Sequence, residues 1–145
     1  MANSVSEVLL TKARLKALTQ DGDPDAGAIV DFWGVVRRLE NGRSIVGIDY
    51  ETHIPMAEHQ LKMIADAAVD NFQLERVVVH HRFGFVPVGE ASLFLQVRAG
   101  HRGAAFDASK WIVDELKKKV PIWKNPRFCH EEMPREAQPM TSGAR

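Results

Sequence analysis

The sequence predicts an α+β domain, and three observations carry that expectation. Four segments, residues 28–36, 44–50, 76–81 and 91–99, are rich in β-branched and aromatic residues and bounded by glycine or proline, as strands are. Only two long stretches, 55–72 and 103–119, repeat apolar residues at the i, i+3, i+4 and i+7 spacing of a helix. Asn41-Gly42 lies between the first two strand segments, where it favours a hairpin turn that joins those two as a pair. A chain of 145 residues suits one domain, able to bury about two thirds of the surface its unfolded form exposes.

In chain order, residues 6–10 begin a strand, and 12–18 read as a short helix. That helix ends before Gln20-Asp21-Gly22-Asp23-Pro24-Asp25, a run of turn formers. The 55–72 helix carries the stripe Ala57, Leu61, Ile64, Ala68 and Phe72, with Pro55 at a favoured first-turn position. The stretch from Gly84 to Gly89 contains Pro87 and lacks phosphate-loop spacing, so it reads as a hairpin connection. On the last helix Ala105, Ser109, Ile112 and Leu116, flanked by Val113 and Val120, form the core face; Asp107, Asp114 and Lys118 fall opposite. Lys117 lies on the border beside Phe106, placed to bury its stem while its ammonium reaches a cleft. Pro121 stops the helix. From Asn125 the composition turns polar, which predicts a domain of residues 1–124 and a mobile tail, 125–145.

Lysine plus arginine and aspartate plus glutamate stand at nineteen each. No global field exists to hold a polyanion, so nucleic acid is not an expected partner and anion binding falls to local clusters. The single cysteine, Cys129, has no intramolecular disulfide partner, and it lies in the polar tail, where an incidental thiol is the simpler reading. The amino terminus lacks the regions of a signal peptide, and no apolar run is long enough to span a bilayer. A soluble, cytoplasmic protein without membrane contact is expected. His80 and His81 are adjacent on a strand and point to opposite faces; His53 and His59 match no ligand pattern. No metal and no cofactor are expected. Trp33, Trp111 and Trp123 read as core or interface residues.

Cations gather around the last helix. His101 and Arg102 sit at its start, where free backbone N–H groups and the positive dipole end favour an anion such as phosphate, although such residues also occur simply as surface groups. Arg37 closes a strand after Gly34, placed to reach the same anion if that strand end faces the helix start; the alternative is an ordinary salt bridge. Lys117 and Lys124 are seven positions apart, but Pro121 breaks the helix between them and lets the second turn back, so the two would flank a small pocket. Lysine suits such a place because burial or a neighbouring cation brings its ammonium within reach of proton transfer, or of attack on a carbonyl. The plainer account of Lys117-Lys118-Lys119 is complementarity to the helix dipole, and Lys118 and Lys119 are left with it.

The order His101-Arg102, apolar helix, Lys117, Pro121-Ile122-Trp123-Lys124 closely resembles the catalytic large subunit family of molybdopterin synthase. Upstream, Phe32-Trp33-Gly34-Val35-Val36-Arg37 fits the family's Phe-x-Gly-x-Val-Arg stretch. Tyr50-Glu51 with Pro55-Met56-Ala57, and His81-Arg82-x-Gly84 with Val88-Gly89-Glu90, fit its other signatures. The resemblance covers residues 27–124.

What the resemblance implies is an α/β hammerhead-like fold with antiparallel sheets and flanking helices, pairing into a homodimer whose pocket draws on both chains. The implied enzyme is a sulfurtransferase that installs the two dithiolene sulfurs of molybdopterin on cyclic pyranopterin monophosphate. Sulfur would come from a ubiquitin-like small subunit whose Gly-Gly tail ends as a thiocarboxylate, two such subunits completing a heterotetramer. The thiocarboxylate is itself the nucleophile, in keeping with a matched region that holds no cysteine. Lys117 would act as proton donor and acceptor; Lys124 would bind substrate and stabilise developing charge. Arg37, His101 and Arg102 would hold phosphate and pterin, while Val35, Val36, Asn125 and Pro126 would contribute backbone and shape. Two departures stand out: Pro126 occupies the place, two after the second lysine, where many relatives carry an acid, and Trp33 puts a large ring beside Gly34. The alternative function is a non-catalytic homologue that binds a ubiquitin-like protein.

Overall fold

A computed structural model of the protein describes residues 5–18 and 22–129. Among the described residues the strands and long helices follow in the order β1 (Ser6–Thr11), β2 (Ala28–Val35), β3 (Leu39–Glu40), β4 (Arg43–Thr52), α1 (Ile54–Phe72), β5 (Arg76–Arg82), β6 (Gly84–Pro87), β7 (Ala91–Ala99), α2 (Arg102–Lys119) and β8 (Ile122–Phe128). The main sheet has the order β1-β5-β7-β2, with β1 parallel to β5 and the other pairs antiparallel. In a second sheet β4 pairs with β3, β6 and β8.

Alternation decides which face each strand buries. Val77 and Val79 of β5, with Leu93, Leu95, Val97 and Ala99 of β7, meet Ala57, Leu61, Ile64, Ala65 and Ala68 of α1 and Ala105, Ala108, Ile112 and Leu116 of α2 in one core. A smaller core holds the second sheet: Val36, Ile45, Ile48, Tyr50 and Val86. Phe83 and Ile122 pack against both, which couples the two sheets.

Helix α1 begins as its sequence dictates. The His53 Nδ1 accepts from the Met56 N–H at 3.4 Å and Pro55 follows in the first turn. It ends at Gln73, held left-handed at φ 56° with its N–H bonded to the Val69 carbonyl.

Three expectations change. Residues 12–18 form no helix: a segment this short needs a packed apolar face to offset nucleation, and these residues lie mostly exposed beyond a turn in which Thr11 Oγ1 accepts from the Ala13 N–H. The Asn41-Gly42 turn, with φ of 53° and 78°, joins β3 to β4 and does not pair 28–36 with 44–50. Strand β2 pairs instead with β7, because its apolar side belongs to the helix-covered core. Finally, β8 continues through Asn125 and Pro126 to Phe128, so the expected boundary after residue 124 falls inside a strand; the Cys129 N–H then bonds to the Ser44 carbonyl. The rest of the expected tail, 130–145, lies outside the described residues. No described helix is long and apolar enough to cross a membrane.

At Gly47, β4 is pressed against β6 so closely that an added Cβ would stand 2.4 Å from the Phe85 ring and 2.6 Å from the Val86 carbonyl oxygen. Gly47→Ala should therefore destabilise the domain by about 1–3 kcal/mol, the usual range for overpacking. Urea unfolding measures this, and Gly42→Ala is the comparison, a turn position with open space where only backbone strain acts.

Candidate functional site

The short link between β7 and α2 determines where the cations stand. Only Gly100 and His101 separate the strand from the helix, and α2 packs back over β7 and β2, so it runs opposite to β7. His101 is the N-cap, extended at φ −139° and ψ 157°, with no side-chain cap bond, and the first turn holds no acid. The free N–H groups there, with exposed His101 and Arg102, are available to an anion. Gly27, just before β2, sits against this link: a Cβ would lie 2.3 Å from the Gly100 carbonyl oxygen.

At the other end of α2, Glu115 accepts from Lys119 Nζ at 2.8 Å and pairs with Lys118 Nζ at 3.3 Å. These bonds, that to Lys119 foremost, hold its carboxyl below the usual glutamate range. Lys118 and Lys119 thus share one carboxylate, which offsets half of their combined charge. Exposed Lys117 has no hydrogen bond or ion pair among the described residues, and of the cations that lower the Asp114 carboxyl it contributes least. The chain then turns: Val120 N–H bonds to the Leu116 carbonyl, and Thr52 Oγ1, at the end of β4, donates to the Pro121 carbonyl at 3.1 Å. This turn delivers Lys124 to β8, opposite Tyr50 of β4. Alternation puts Lys124 and Pro126 on the face shared with Tyr50 and Ile48, whereas Asn125 faces the other way with Arg127, opposite Asp49.

Arg37 follows the end of β2. A bulge between Gly34 and Val35 releases the strand from β7. Val36 then buries its side chain in the second core and gives both backbone groups to the next turn: its N–H to the Glu90 carbonyl at 3.0 Å, its carbonyl to the Gly89 N–H at 2.9 Å. Val35 is half exposed, and Arg37 is exposed without an ion pair among the described residues.

The cations thus form two groups. Arg37, Lys117 and Lys124 belong to the end of the main sheet where β7 begins and the second sheet attaches. His101 and Arg102 stand at the opposite end, where Ala28 of β2 pairs with Ala99. Fifteen residues of helix separate Arg102 from Lys117, about 22 Å. The condition under which Arg37 would share an anion with His101 and Arg102 of its own chain is not met: β2 ends some seven residues, about 23 Å, from the helix start.

Groups that sequence reasoning left out of the site also occupy the lysine end. Arg82, 8% exposed in its side chain, donates to Glu90 Oε1 at 2.8 Å, and the outer Arg14 Nε approaches the same oxygen at 3.8 Å. Tyr50 donates to Ser92 Oγ at 3.2 Å and meets the His81 ring edge-on. Burial pushes the Tyr50 phenol up, against the smaller lowering by that bond, so it stays protonated. In the sequence Tyr50, His81, Arg82 and Glu90 stood out through the signature segments 50–51, 81–84 and 88–90, which gave no sign that they come together. His80 binds Glu7 at 2.9 Å on the opposite face of the sheet, and among the described residues no group of three or more histidine, cysteine, aspartate or glutamate side chains is arranged to hold a metal. Trp33 lies against Phe94, ring centres 4.5 Å apart, on the face away from the helices, so its ring packs on the sheet. Trp111 packs on Phe72 between the helices, and Trp123 is exposed.

A family model described as MoaE protein matches residues 5–119. Relatives named molybdopterin synthase catalytic subunit include one from Arabidopsis thaliana, 39% identical over 113 residues, which make up 78% of this chain and 57% of the relative. One from Aspergillus fumigatus is 42% identical over 77% of this chain and 60% of its own length, and one from Thermoplasma volcanium is 41% identical over 70% and 74%. The chain therefore spans under two thirds of the plant and fungal relatives. Among solved structures, molybdopterin synthase from Staphylococcus aureus superposes with a TM-score of 0.76 at 26% identity, covering 83% of this chain and 90% of that one. A complex of subunits 1 and 2 of the molybdopterin-converting factor from Helicobacter pylori, at TM-score 0.63 and 18% identity over 87% and 90%, shares the fold.

His81 generates a pH prediction. Burial lowers its pKa below the usual imidazole value, outweighing the bond from its Nδ1–H to the Arg82 carbonyl at 2.7 Å. The folded state therefore binds a proton less readily than the unfolded chain. The associated stability is present above the unfolded value of about 6.5 and is lost as pH falls below it. Denaturation midpoints between pH 7.5 and 5 should fall for the wild type and fall less for His81→Gln; equal slopes would assign the effect to other groups.

Proposed function

Because the chain belongs to the MoaE protein family, we propose that it is the catalytic large subunit of a molybdopterin synthase. It works as a homodimer, with a ubiquitin-like small subunit at each end of a cytoplasmic heterotetramer. The reaction is sulfur transfer: the thiocarboxylate at the small subunit's Gly-Gly terminus supplies both dithiolene sulfurs to cyclic pyranopterin monophosphate. Relatives bearing the catalytic-subunit name at 39% and 42% identity support this reading.

The observation that carries it is the division of the cations. Arg37, Lys117 and Lys124 lie at one end of the sheet, with His101 and Arg102 a helix length away. A phosphorylated pterin held by all five requires the helix start of a second copy beside the lysines of the first. Lys117, which lies two positions from Glu115 and so off that carboxylate's face, has no ion pair among the described residues and is free to pass a proton at the tail's carbonyl. Lys124, on the face of Tyr50, contributes a fixed positive charge as the sulfur adds. Exposure of both in the single chain fits a pocket closed by the tail and the second subunit, which would exclude water and strengthen those charges.

Pro126 on the Lys124 face leaves the acid of other relatives without a counterpart there, since the nearby Asp49 lies on the other face, bonded to Arg127 through two nitrogens at 2.9 and 3.0 Å. Charge balance at this pocket therefore rests on the substrate.

Mixing the chain with thiocarboxylated small subunit and precursor should yield molybdopterin; no product would overturn the assignment. Lys117→Ala should abolish product while the protein stays folded and dimeric, because an exposed, unpaired lysine contributes little stability. Co-expressing Lys117→Ala with Arg102→Ala tests the shared pocket. Each variant alone should be inactive, yet random mixing leaves one complete site in half the dimers and restores about a quarter of wild-type turnover. Failure to complement would exclude His101 and Arg102 of a second copy from the site that holds Lys117.

A further inference from the structure

We propose that Arg82 and Glu90 form a positioning strut that sets Arg37 for the precursor's phosphate, an inference that rests on the reaction assigned above. Residues 88–90 belong to neither neighbouring ladder, since β6 ends at Pro87 and β7 begins at Ala91. Yet this turn holds Val36 by both backbone groups, through the Glu90 carbonyl and the Gly89 N–H. The next residue is Arg37. Whatever fixes the turn therefore fixes the root of that arginine.

The turn's own bonds, Glu90 N–H to the Pro87 carbonyl and Val88 N–H to the Val46 carbonyl, tie it only to the second sheet. Arg82 supplies the tie to the first. It ends β5 in register with Thr11 of β1, and its Nη1 holds the Glu90 carboxylate at 2.8 Å. The lever runs from the main sheet through Arg82, Glu90 and Val36 to Arg37.

Stability alone explains this pair poorly. Arg82 is buried while Glu90 keeps a quarter of its side chain exposed; taking the arginine's charge out of water has a cost that the attraction returns only in part, and well-packed apolar replacements of such pairs are often neutral or stabilising. The pair also leaves the buried Nε of Arg82 without a hydrogen-bond partner among the described residues. A directional contact accounts for the arginine better: guanidinium to carboxylate fixes an orientation as apolar packing does not.

The test replaces the pair by Arg82→Met with Glu90→Met, read in two independent ways. Hydrogen exchange at the Val36 amide should quicken at least about tenfold relative to wild type while the Leu95 amide of the central strand keeps its protection. In turnover, KM for the precursor should rise about tenfold with kcat within about twofold, and adding Arg37→Ala should raise it little further, since residues acting through one another are not additive. Arg82→Lys should recover part of the loss. Should the double variant not fold, Glu90→Gln, at a quarter-exposed side chain, is read in the same two ways. Unchanged Val36 exchange, an unchanged KM, or losses that multiply with Arg37→Ala would each overturn the strut. A wild type without turnover would instead refute the assigned reaction, and the exchange measurement would still decide the strut.

Discussion

The antiparallel lodging of β7 between β5 and β2 is the constraint on which the rest depends. Its helix-side residues Leu93, Leu95, Val97 and Ala99 form the floor of the main core, and the strand leaves directly into α2 through two residues. That link forces the helix back along the strand. Once the direction is fixed, the helix start and the helix end cannot share a site within one chain. The approach of Gly27 to the Gly100 carbonyl closes the same corner from the β2 side, leaving the helix start little room to shift.

The sequence showed the elements that bury one regular stripe or one alternating face. Residues 76–81, 91–99, 55–72 and 103–119 were legible for that reason, and their observed bounds differ by one residue at most. What escaped was decided at a distance. Strand β2 was given the wrong neighbour because Asn41-Gly42 announces a turn without saying which strands flank it; the two-residue β3 that takes the turn is too short to carry a pattern. Residues 12–18 had helical composition but no surface to pack on. The polar look of Asn125-Pro126-Arg127 concealed a strand because its pairing, to Ile48 and Asp49, is long-range.

The candidate site was legible in part. Motif order picked out Lys117 and Lys124, and the structure places them on either side of the turn at Pro121. It also explains why Lys118 and Lys119 differ from Lys117: Glu115 stands at the i,i+3 and i,i+4 spacing that pairs with the first two and at i,i+2 from the third, a pattern already present in the sequence. The separation of Arg37 from His101 could not be read along the chain, since it follows from strand direction. Arg82 and Glu90 were visible as members of two signature segments with no stated role, and their pairing follows only from β5 and the turn before β7 lying side by side.

The capture of Lys118 and Lys119 by Glu115 also bears on how ligands arrive. With nineteen charges of each sign, the chain as a whole casts no far-reaching potential, and the field of the few uncompensated cations decays within a Debye length of about 8 Å at physiological salt. An anionic small molecule or a protein tail is therefore not drawn in from solution but meets the surface by ordinary diffusion. Encounter then proceeds at the unsteered association rate, about 10⁵–10⁶ M⁻¹s⁻¹ for a protein partner. For an anion that collides with the lysine end, residence time rather than attraction from a distance then separates a good fit from a poor one, and Lys118 and Lys119, which share the Glu115 carboxylate, add less to it than their number suggests.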